Sequence, residues 1–347
     1  MPSIFRRALH RFLPSHFHDP VGLAVRLVRS RDVNAWYAML SAGMGVVLTP
    51  LDLLLQPAER RRYRAAGPPA LPSLFVCGPP RSGTSVTYQV LAANLPVAYF
   101  MNLSGLFPRS PVTARRLFGR LLPRWRVSYQ SYYGRTRNLT GPNDALHLWD
   151  RWLGKDRTSI PDHLTPAALD DMRRFFGAME ALAGRPLVAK NNNMNAFAHL
   201  VAEALPRASF LCLHRDPAWL AQALYLARLD IHGDHSVPYG LAQPAEGAAV
   251  DPIEDVCRQV AFHARLMEDQ RRRIPDGRFR ALAYEEFCLD PVRAVHDAAS
   301  ALGVEPDPSV RALKPFVASA RVRMDPAMFT RMVARLAELG LTSEASA

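Results

Sequence analysis

The stretch LFVCGPPRSGTS, residues 74–85, decides the fold of this 347-residue chain. It begins with a short apolar run, which is typical of a buried parallel strand, and continues into a loop with a glycine at each end. The residues that follow, SVTYQVLAANL, place apolar side chains at helical spacing. A strand, a tight loop and a helix in this order predict a phosphate-binding loop, because backbone amides of the loop and of the first helical turn then point at one anion.

The loop differs from the nucleoside-triphosphate P-loop, GxxxxGK(S/T), at its lysine. Gly78 and Gly83 occupy the two glycine positions, but Thr84 stands where the lysine belongs. The cation is Arg81, inside the loop. A nucleoside triphosphatase would also need an acidic residue at a strand end to hold magnesium. The one candidate strand end, LHRDP, presents Arg215 first, so the pattern argues against a metal-assisted nucleoside triphosphatase.

Apolar runs and helical segments alternate along the rest of the chain. Strands are predicted before the phosphate loop and over residues 186–191 and 278–287, and residues 208–217 are predicted to be a strand that continues into a loop. Helices are predicted over residues 141–154, entered through Asn143 as cap, over 165–183, over 218–229, and after Asp290 up to Gly303. This alternation predicts an α/β domain over residues 71–347, with a P-loop-like three-layer fold around a central parallel sheet.

Residues 1–70 are expected to form a separate basic, apolar, helical extension that ends in the linker AAGPPALPS. Residues 35–55 are nearly long enough to span a bilayer, but Pro50 and Asp52 interrupt them and arginines flank both sides. We therefore favour a helix that lies on a membrane surface or packs on the core, with a spanning anchor as the alternative.

The formal net charge of +12 favours anionic partners. Neither a lysine-rich tract nor zinc-finger spacing is present, so nucleic acid is not expected as a partner, whereas an anionic membrane surface is, through residues 1–64. The four cysteines are scattered and form no CxxC pair, and the basic start lacks the features of a signal peptide. Together these features predict a cytoplasmic protein, peripheral at the inner face of the membrane.

Three motifs resemble, in order, those of sulfotransferases that use 3′-phosphoadenylyl sulfate. CGPPRSGTS resembles the family's 5′-phosphosulfate loop, in which a lysine or arginine stands at the position of Arg81. FLCLHRDPAWLAQAL, residues 210–224, resembles the 3′-phosphate element, and ALAYEEFCLDPVRAVHDAASALGV is similar to a strand and helix near the family's C-terminus. The resemblance covers about residues 72–340.

The resemblance implies a sulfuryl donor, 3′-phosphoadenylyl sulfate, bound without a metal. The residues implied for its 5′-phosphosulfate are Arg81, Ser82, Gly83, Thr84 and Ser85. Arg215 is implied for the 3′-phosphate by bidentate contact, with a late arginine, Arg323 or Arg321, beside it. The family usually has a serine where this chain has Ala223, so Gln222 or no side chain replaces it.

The catalytic base is less clear from the sequence. The histidine of the cytosolic branch is absent here, because the comparable run is Lys190, Asn191, Asn192. Lys190 is suited to stabilise the bridging oxygen as charge develops. Other branches use a carboxylate on an intervening helix, where NDALHLWDRW offers Asp144, His147 and Asp150; we favour Asp144 or His147, which share a helix face.

The acceptor cannot be read from these motifs: a carbohydrate, a lipid and a small metabolite all stay open. Residues 229–244 are interpreted as a long surface loop that either covers an acceptor or projects into solvent. Two other functions also stay open. One is a kinase or nucleoside triphosphatase with an irregular loop, and the other is a catalytically silent adaptor on a membrane surface.

Overall fold

The computed structural model describes residues 20–30, 32–125, 127–131, 134, 136–154, 160–243 and 251–343. The first helices are α1 Pro20–Arg29, α2 Val33–Val47 and α3 Thr49–Ala65. The four strands are β1 Ser73–Cys77, β2 Leu187–Lys190, β3 Ala208–His214 and β4 Phe279–Ala283. Between β1 and β2 lie α4 Thr84–Asn94, α5 Leu103–Leu106, α6 Pro111–Phe118, α7 Leu146–Leu153 and α8 Pro166–Ala183. Later helices are α9 Ala198–Ala204, α10 Pro217–His232, α11 Pro252–Arg273, α12 Tyr284–Leu289, α13 Pro291–Leu302 and α14 Pro326–Glu338, with 3-10 turns at Asn192–Ala196 and Pro308–Ala312.

The strands form one parallel sheet in the order β2-β1-β3-β4. All five residues of β1 are buried, and their side chains alternate between two cores. Phe75 and Cys77 join the core formed with α8 and α9, whereas Leu74 and Val76 join the core formed with α4 and α13. Helices therefore cover both faces of the sheet, and the expectation of a three-layer α/β fold with a central parallel sheet is confirmed.

Two predicted element boundaries are wrong. The run 278–287 was expected to be one strand, but β4 stops at Ala283 and α12 begins at Tyr284. Glu285 and Glu286 fall in the first turn of α12, where carboxylates favour a helix because of the positive end of its dipole.

The second error concerns the helix expected from Asn143, because α7 begins only at Leu146. The Asn143 side chain accepts a hydrogen bond from the backbone N–H of Ala145 (2.7 Å), and Ala145 takes a left-handed conformation with φ 49°. This local turn competes with a helix. Asp144 therefore precedes the helix, and Asp144 and His147 do not share a helix face.

The first helices are attached to the α/β domain by buried carboxylates. Asp52 on α3 accepts hydrogen bonds from the Ser110 hydroxyl (2.5 Å) and the Arg109 backbone N–H (3.1 Å). Glu59 lies two turns further along the same face of α3. It accepts from the backbone N–H groups of Val112 (3.0 Å) and Thr113 (2.7 Å) in the first turn of α6. These carboxylates satisfy amides that the start of α6 leaves unpaired, so α3 and α6 stabilise each other.

No single described helix is long and apolar enough to cross a bilayer, whereas α2 and α3 together meet that length and composition across a bend of 70°. Residues 1–19 of the expected membrane-surface segment lie outside the described residues. The division at residue 70 stays a prediction.

Candidate active site

The candidate site lies at the carboxyl ends of β1, β2 and β3. β1 and β3 are neighbours in the sheet, but the chain leaves β1 towards β2 on one side and leaves β3 towards β4 on the other. Such a change of direction opens a crevice at the strand ends, which is where open α/β sheets bind ligands. The loop at residues 78–83 and the turn at Arg215 face each other across this point.

The phosphate loop depends on two glycines that no other residue can replace without displacement. A Cβ on Gly78, whose φ is 130°, would lie 2.1 Å from the carbonyl oxygen of Leu213 on β3. A Cβ on Gly83, whose φ is 87°, would lie 2.0 Å from Cδ2 of Tyr284. The loop is therefore packed tightly between the neighbouring strand and the first residue of α12. Arg81 also has a positive φ of 74°, which is strained for a residue with a side chain.

Two of the loop hydroxyls hold the loop in shape. The Ser82 side chain is buried and its hydroxyl donates to the carbonyl of Pro79 (2.7 Å). The Thr84 hydroxyl donates to Oδ1 of Asn192, beyond the end of β2 (3.0 Å). The helical ladder of α4 starts with the N–H of Thr87 donating to the carbonyl of Gly83 (3.1 Å), so the amides of the first turn have no acceptor within the helix and are available to an anion.

Three arginines converge beside this loop. Arg215 donates to the carbonyls of Ser319 (2.6 Å) and Arg81 (3.4 Å). Burial lowers the pKa of Arg215; Tyr284 and Glu285 oppose that shift, whereas the charges of Arg81 and Arg323 add to it. A cation whose protonation is opposed by burial and by neighbouring like charges is typical of an anion site. The structure therefore brings together the three arginines that the sequence assigned to the two phosphates.

The ring of Tyr284 contacts both Arg215 and the phosphate loop. The guanidinium of Arg215 lies over its ring, 5.4 Å from the centroid, and the same ring bounds Gly83. Glu285 accepts from the backbone N–H of Asp216 (3.3 Å) and lies 4.0 Å from the Nε of Arg215. The YEEF motif thus connects the two halves of the expected donor site.

Gln222, next to the position of the family's serine, holds the backbone of a late segment of the chain. Its Nε2 donates to the carbonyl of Arg321 (3.0 Å) and its Oε1 accepts from the backbone N–H of Arg323 (2.7 Å). Ala223 is buried and offers no polar group. Gln222 therefore fixes the late segment that carries Arg323, rather than presenting a side chain to a phosphate.

A second group of polar side chains meets at the end of β2. Nζ of Lys190 lies 2.6 Å from Oδ2 of Asp144, with 1% of the Lys190 side chain and 20% of the Asp144 side chain exposed. A Cβ on Gly134 would lie 3.3 Å from Oδ2 of Asp144, 3.4 Å from Oγ of Ser85 and 3.6 Å from Nζ of Lys190. An ammonium, a carboxylate and a hydroxyl thus surround one point next to the phosphate loop, and a side chain at residue 134 would fill it.

His147 is not part of this group. It lies in the first turn of α7, whereas the ion pair at the end of β2 is formed by Lys190 and Asp144. Of the two proposed bases, the structure places Asp144 beside the loop and Lys190.

The expected surface loop after α10 packs on the phosphate loop. Nε2 of Gln259 on α11 donates to the carbonyls of Tyr239 (2.9 Å) and Leu241 (3.0 Å), which hold the loop in place. A Cβ on Gly240 would lie 2.5 Å from Cγ of Pro80. The described part of this loop therefore covers one side of the phosphate loop, and residue 244 lies outside the described residues.

Sequence reasoning missed three contributors to this site: Tyr284, Asn192 and Gly134. Tyr284 lies in the YEEF motif, whose resemblance to the family implied no role for the tyrosine. Asn192 lies two residues after Lys190, at the position where the cytosolic branch has its histidine. For Gly134 no signal exists in the sequence, because its role depends on residues that are distant along the chain. Within the described residues, no group of three or more His, Cys, Asp or Glu side chains could hold a metal ion.

Residues 72–308, more than half of the chain, match the profile of the sulfotransferase family. The chain belongs to the sulfotransferase family. Its fold is similar to that of sulfotransferase STF9 from Mycobacterium avium, with a TM-score of 0.54 at 15% identity over 96% of this chain and 95% of that one. Sulfotransferase STF1 from Mycobacterium tuberculosis has a TM-score of 0.49 at 13% identity over 94% of each chain. None of the curated proteins matches this chain.

Proposed function

We propose that this sulfotransferase transfers a sulfuryl group from 3′-phosphoadenylyl sulfate to a hydroxyl or amine of its acceptor. The observation that carries the proposal is the pair of adjoining cation sites, the Arg81 loop and the Arg215–Arg323 cluster, on two sides of one crevice. A donor with a 5′-phosphosulfate and a 3′-phosphate on one ribose needs two such sites. The missing P-loop lysine and the missing magnesium carboxylate favour this donor over magnesium ATP.

In the proposed reaction, the acceptor oxygen or nitrogen attacks sulfur and the bond from sulfur to the bridging phosphate oxygen breaks. Adenosine 3′,5′-bisphosphate leaves with the electron pair of that bond. Lys190 stabilises the charge that develops on the leaving oxygen, and Asp144 takes the acceptor's proton. The 2.6 Å contact between their side chains supports this division, because it holds an acid and a base at one point beside Ser85.

Donor binding is tested by calorimetry with adenosine 3′,5′-bisphosphate without metal and with magnesium ATP. We expect metal-free binding of the bisphosphate that weakens at least about tenfold in Arg81→Ala, because a charge-assisted contact is lost. Preference for magnesium ATP would identify a phosphoryl transferase instead. Binding of neither nucleotide would favour a silent adaptor.

The base assignment is tested by turnover. Release of bisphosphate from the donor is followed with a panel of carbohydrate, lipid and small-metabolite acceptors. For Asp144→Asn we expect a fall of about a hundredfold or more in kcat with nearly unchanged bisphosphate affinity, the range for loss of a general base. His147→Asn serves as the matched control and is expected to keep most of the turnover. The reverse pattern would make His147 the base.

We also propose that the surface of α2 and α3 contacts an anionic membrane, at the cytoplasmic face. Large exposed apolar side chains on these helices support the proposal: Val33, Trp36, Leu40, Met44, Val46, Val47, Leu53 and Leu54. Exposed Arg60, Arg61 and Arg64 follow on α3, and their charge suits anionic headgroups. Removing residues 1–64 would also remove Asp52 and Glu59, whose carboxylates accept hydrogen bonds at the start of α6. Point variants are therefore the better test.

The membrane contact is measured by sedimentation with phosphatidylglycerol vesicles. The double variant Val47→Ser and Leu54→Ser is expected to lose most vesicle binding, since it removes apolar area that would enter the interface. The control is Val317→Ser, another exposed apolar residue far along the chain. Equal sedimentation of all three proteins would remove the proposal.

A further inference from the structure

A second polar pocket lies at the end of β2 that is opposite the candidate active site. Ala98 pairs with Leu187, the first residue of β2, whereas Lys190 is its last. The two ends are about 10 Å apart, given the rise of a strand. The pocket has a volume of about 550 Å³ and lies between Val97–Met101, the end of α6 with the turn after it, and the end of α8. It therefore cannot be part of the donor site.

This pocket is lined by four arginines and by no carboxylate. They are Arg115, Arg116, Arg120 and Arg185, among eleven lining residues. In the part of the chain that the structure describes, none of the four takes part in an ion pair. Arg115 donates a hydrogen bond to the backbone carbonyl of Tyr99 (2.8 Å).

Four cations around one cavity repel each other unless an anion compensates them. Burial lowers the pKa of Arg115, and the charge of Arg185 lowers it further, while the groups that oppose the shift are the tyrosines Tyr99 and Tyr88. A buried cation without a carboxylate is costly. Planar guanidinium groups that converge from several sides bind tetrahedral oxyanions well, because each offers paired donors.

We propose that this pocket is a binding site for the oxyanion of an organic phosphate ester, separate from the sulfuryl donor site. Its volume exceeds what a bare phosphate needs and leaves room for the organic part. Leu117 and Leu121 stand beside Arg116 and Arg120 in sequence with 47% and 79% of their surface exposed. Exposed apolar side chains that neighbour these cations in sequence suit the binding of a phospholipid headgroup, although a free phosphate ester has the same anion.

The site is tested in two arms with the full-length protein. In the first arm, glycerol 3-phosphate is titrated by calorimetry, with and without adenosine 3′,5′-bisphosphate to occupy the donor site. In the second arm, sedimentation is compared for phosphatidylcholine vesicles with and without phosphatidic acid. The variants are Arg115→Gln and the double variant Arg120→Gln with Arg185→Gln, whose two side chains lie at the exposed rim. The control, Arg311→Gln, removes one positive charge, as Arg115→Gln does, from the exposed 3-10 turn at Pro308–Ala312.

We expect at least about a tenfold loss of affinity in one arm for both pocket variants, and no loss for Arg311→Gln. Loss in the titration identifies a free phosphate ester, whereas loss only with phosphatidic acid vesicles identifies a lipid headgroup. The apolar surface of α2 and α3 is intact in every variant, so its contribution is common to all of them. An equal loss in Arg311→Gln, or unchanged binding in both arms for the folded rim variant, would overturn the proposal. Bisphosphate affinity should not change in any variant, which separates this test from that of the donor site.

Discussion

Gly83 allows the phosphate loop to pass the ring of Tyr284. Its φ is 87°, and a Cβ on residue 83 would lie 2.0 Å from Cδ2 of Tyr284. The variant Gly83→Ala must therefore both strain the backbone and displace the ring. The matched control is Gly184→Ala at the end of α8, where φ is 62° but a Cβ would meet nothing within 4 Å. We expect Gly184→Ala to lose about 1–2 kcal/mol of stability with bisphosphate affinity unchanged. Gly83→Ala should weaken bisphosphate binding at least tenfold; equal affinities in calorimetry would contradict the tight-loop argument.

Lys190 and Asp144 illustrate how a buried ion pair responds to loss of either partner. Asp144→Asn leaves an almost fully buried ammonium uncompensated, whereas Lys190→Met leaves a carboxylate that is 20% exposed. Asp144→Asn should therefore cost more unfolding free energy, about 3 kcal/mol, than Lys190→Met. In a double-mutant cycle by urea unfolding, the double variant should lose less than the sum of the two single losses. Additive losses would mean that the 2.6 Å contact contributes no coupling.

Local elements could be predicted from the sequence wherever a single pattern decides them. The segment from β1 through the glycine loop into α4 depends on neighbouring residues, and its strand, loop and helix were predicted correctly. The boundary between β4 and α12 was missed because RFRALAYEEF is apolar enough for a strand, while two glutamates at 285 and 286 favour a helix start. The start of α7 was missed because the Asn143 side chain forms a turn instead of a cap.

The candidate site was predicted only in part, for a reason of distance along the chain. Arg81 and Arg215 lie in motifs, so their role could be expected. The contact between Lys190 and Asp144 joins residues 46 apart. The contact between Gln222 and Arg323 joins residues 101 apart. Sequence periodicity carries no information on such pairs, so the contact on which the proposal of Asp144 as base rests could not be predicted from the sequence.

The link between α10 and the late arginine segment is an element-scale device that can be tested. Gln222→Ala removes both hydrogen bonds that hold the backbone of Arg321 and Arg323, so the segment should loosen. We expect bisphosphate affinity to fall several-fold, up to about tenfold, and amide exchange over residues 313–325 to become faster. Gln270→Ala is the control, since that buried side chain holds the backbone of Ala196 and His199 instead. It should reduce stability without weakening bisphosphate binding; the same affinity loss in both variants would indicate a general effect of destabilisation.

At the scale of the whole molecule, the two proposed sites lie at opposite ends of the strands of the parallel sheet. The phosphate loop, the arginine cluster and the ion pair of Lys190 with Asp144 lie at the carboxyl ends of the strands. The opposite end of β2 borders the arginine-lined pocket, and none of the three motifs that resemble the family contributes a residue to that pocket. Because both sites lie on one rigid sheet, ligands at the two ends are expected to bind without competing for the same side chains.

The response of the whole fold to acid should depend on His263, which α11 buries against the turn after β2. Its Nδ1 lies 3.0 Å from Nδ2 of Asn195, and burial lowers its pKa from 6.5 to about 4, with a hydrogen bond to the backbone of Leu241 opposing the shift. The unfolded histidine therefore binds a proton between pH 6.5 and about 4, while the folded one stays neutral.

Because the unfolded state binds more protons in that window, stability is fully present above pH 6.5 and decreases as the pH falls towards about 4. The contribution of this one group is on the order of 3 kcal/mol at the acid end. Urea unfolding at a series of pH values should show a shallower decrease for His263→Gln than for the wild type. His296→Gln, at an exposed position of α13, should keep the wild-type slope. Parallel curves for all three proteins would show that buried carboxylates, rather than His263, govern the acid response.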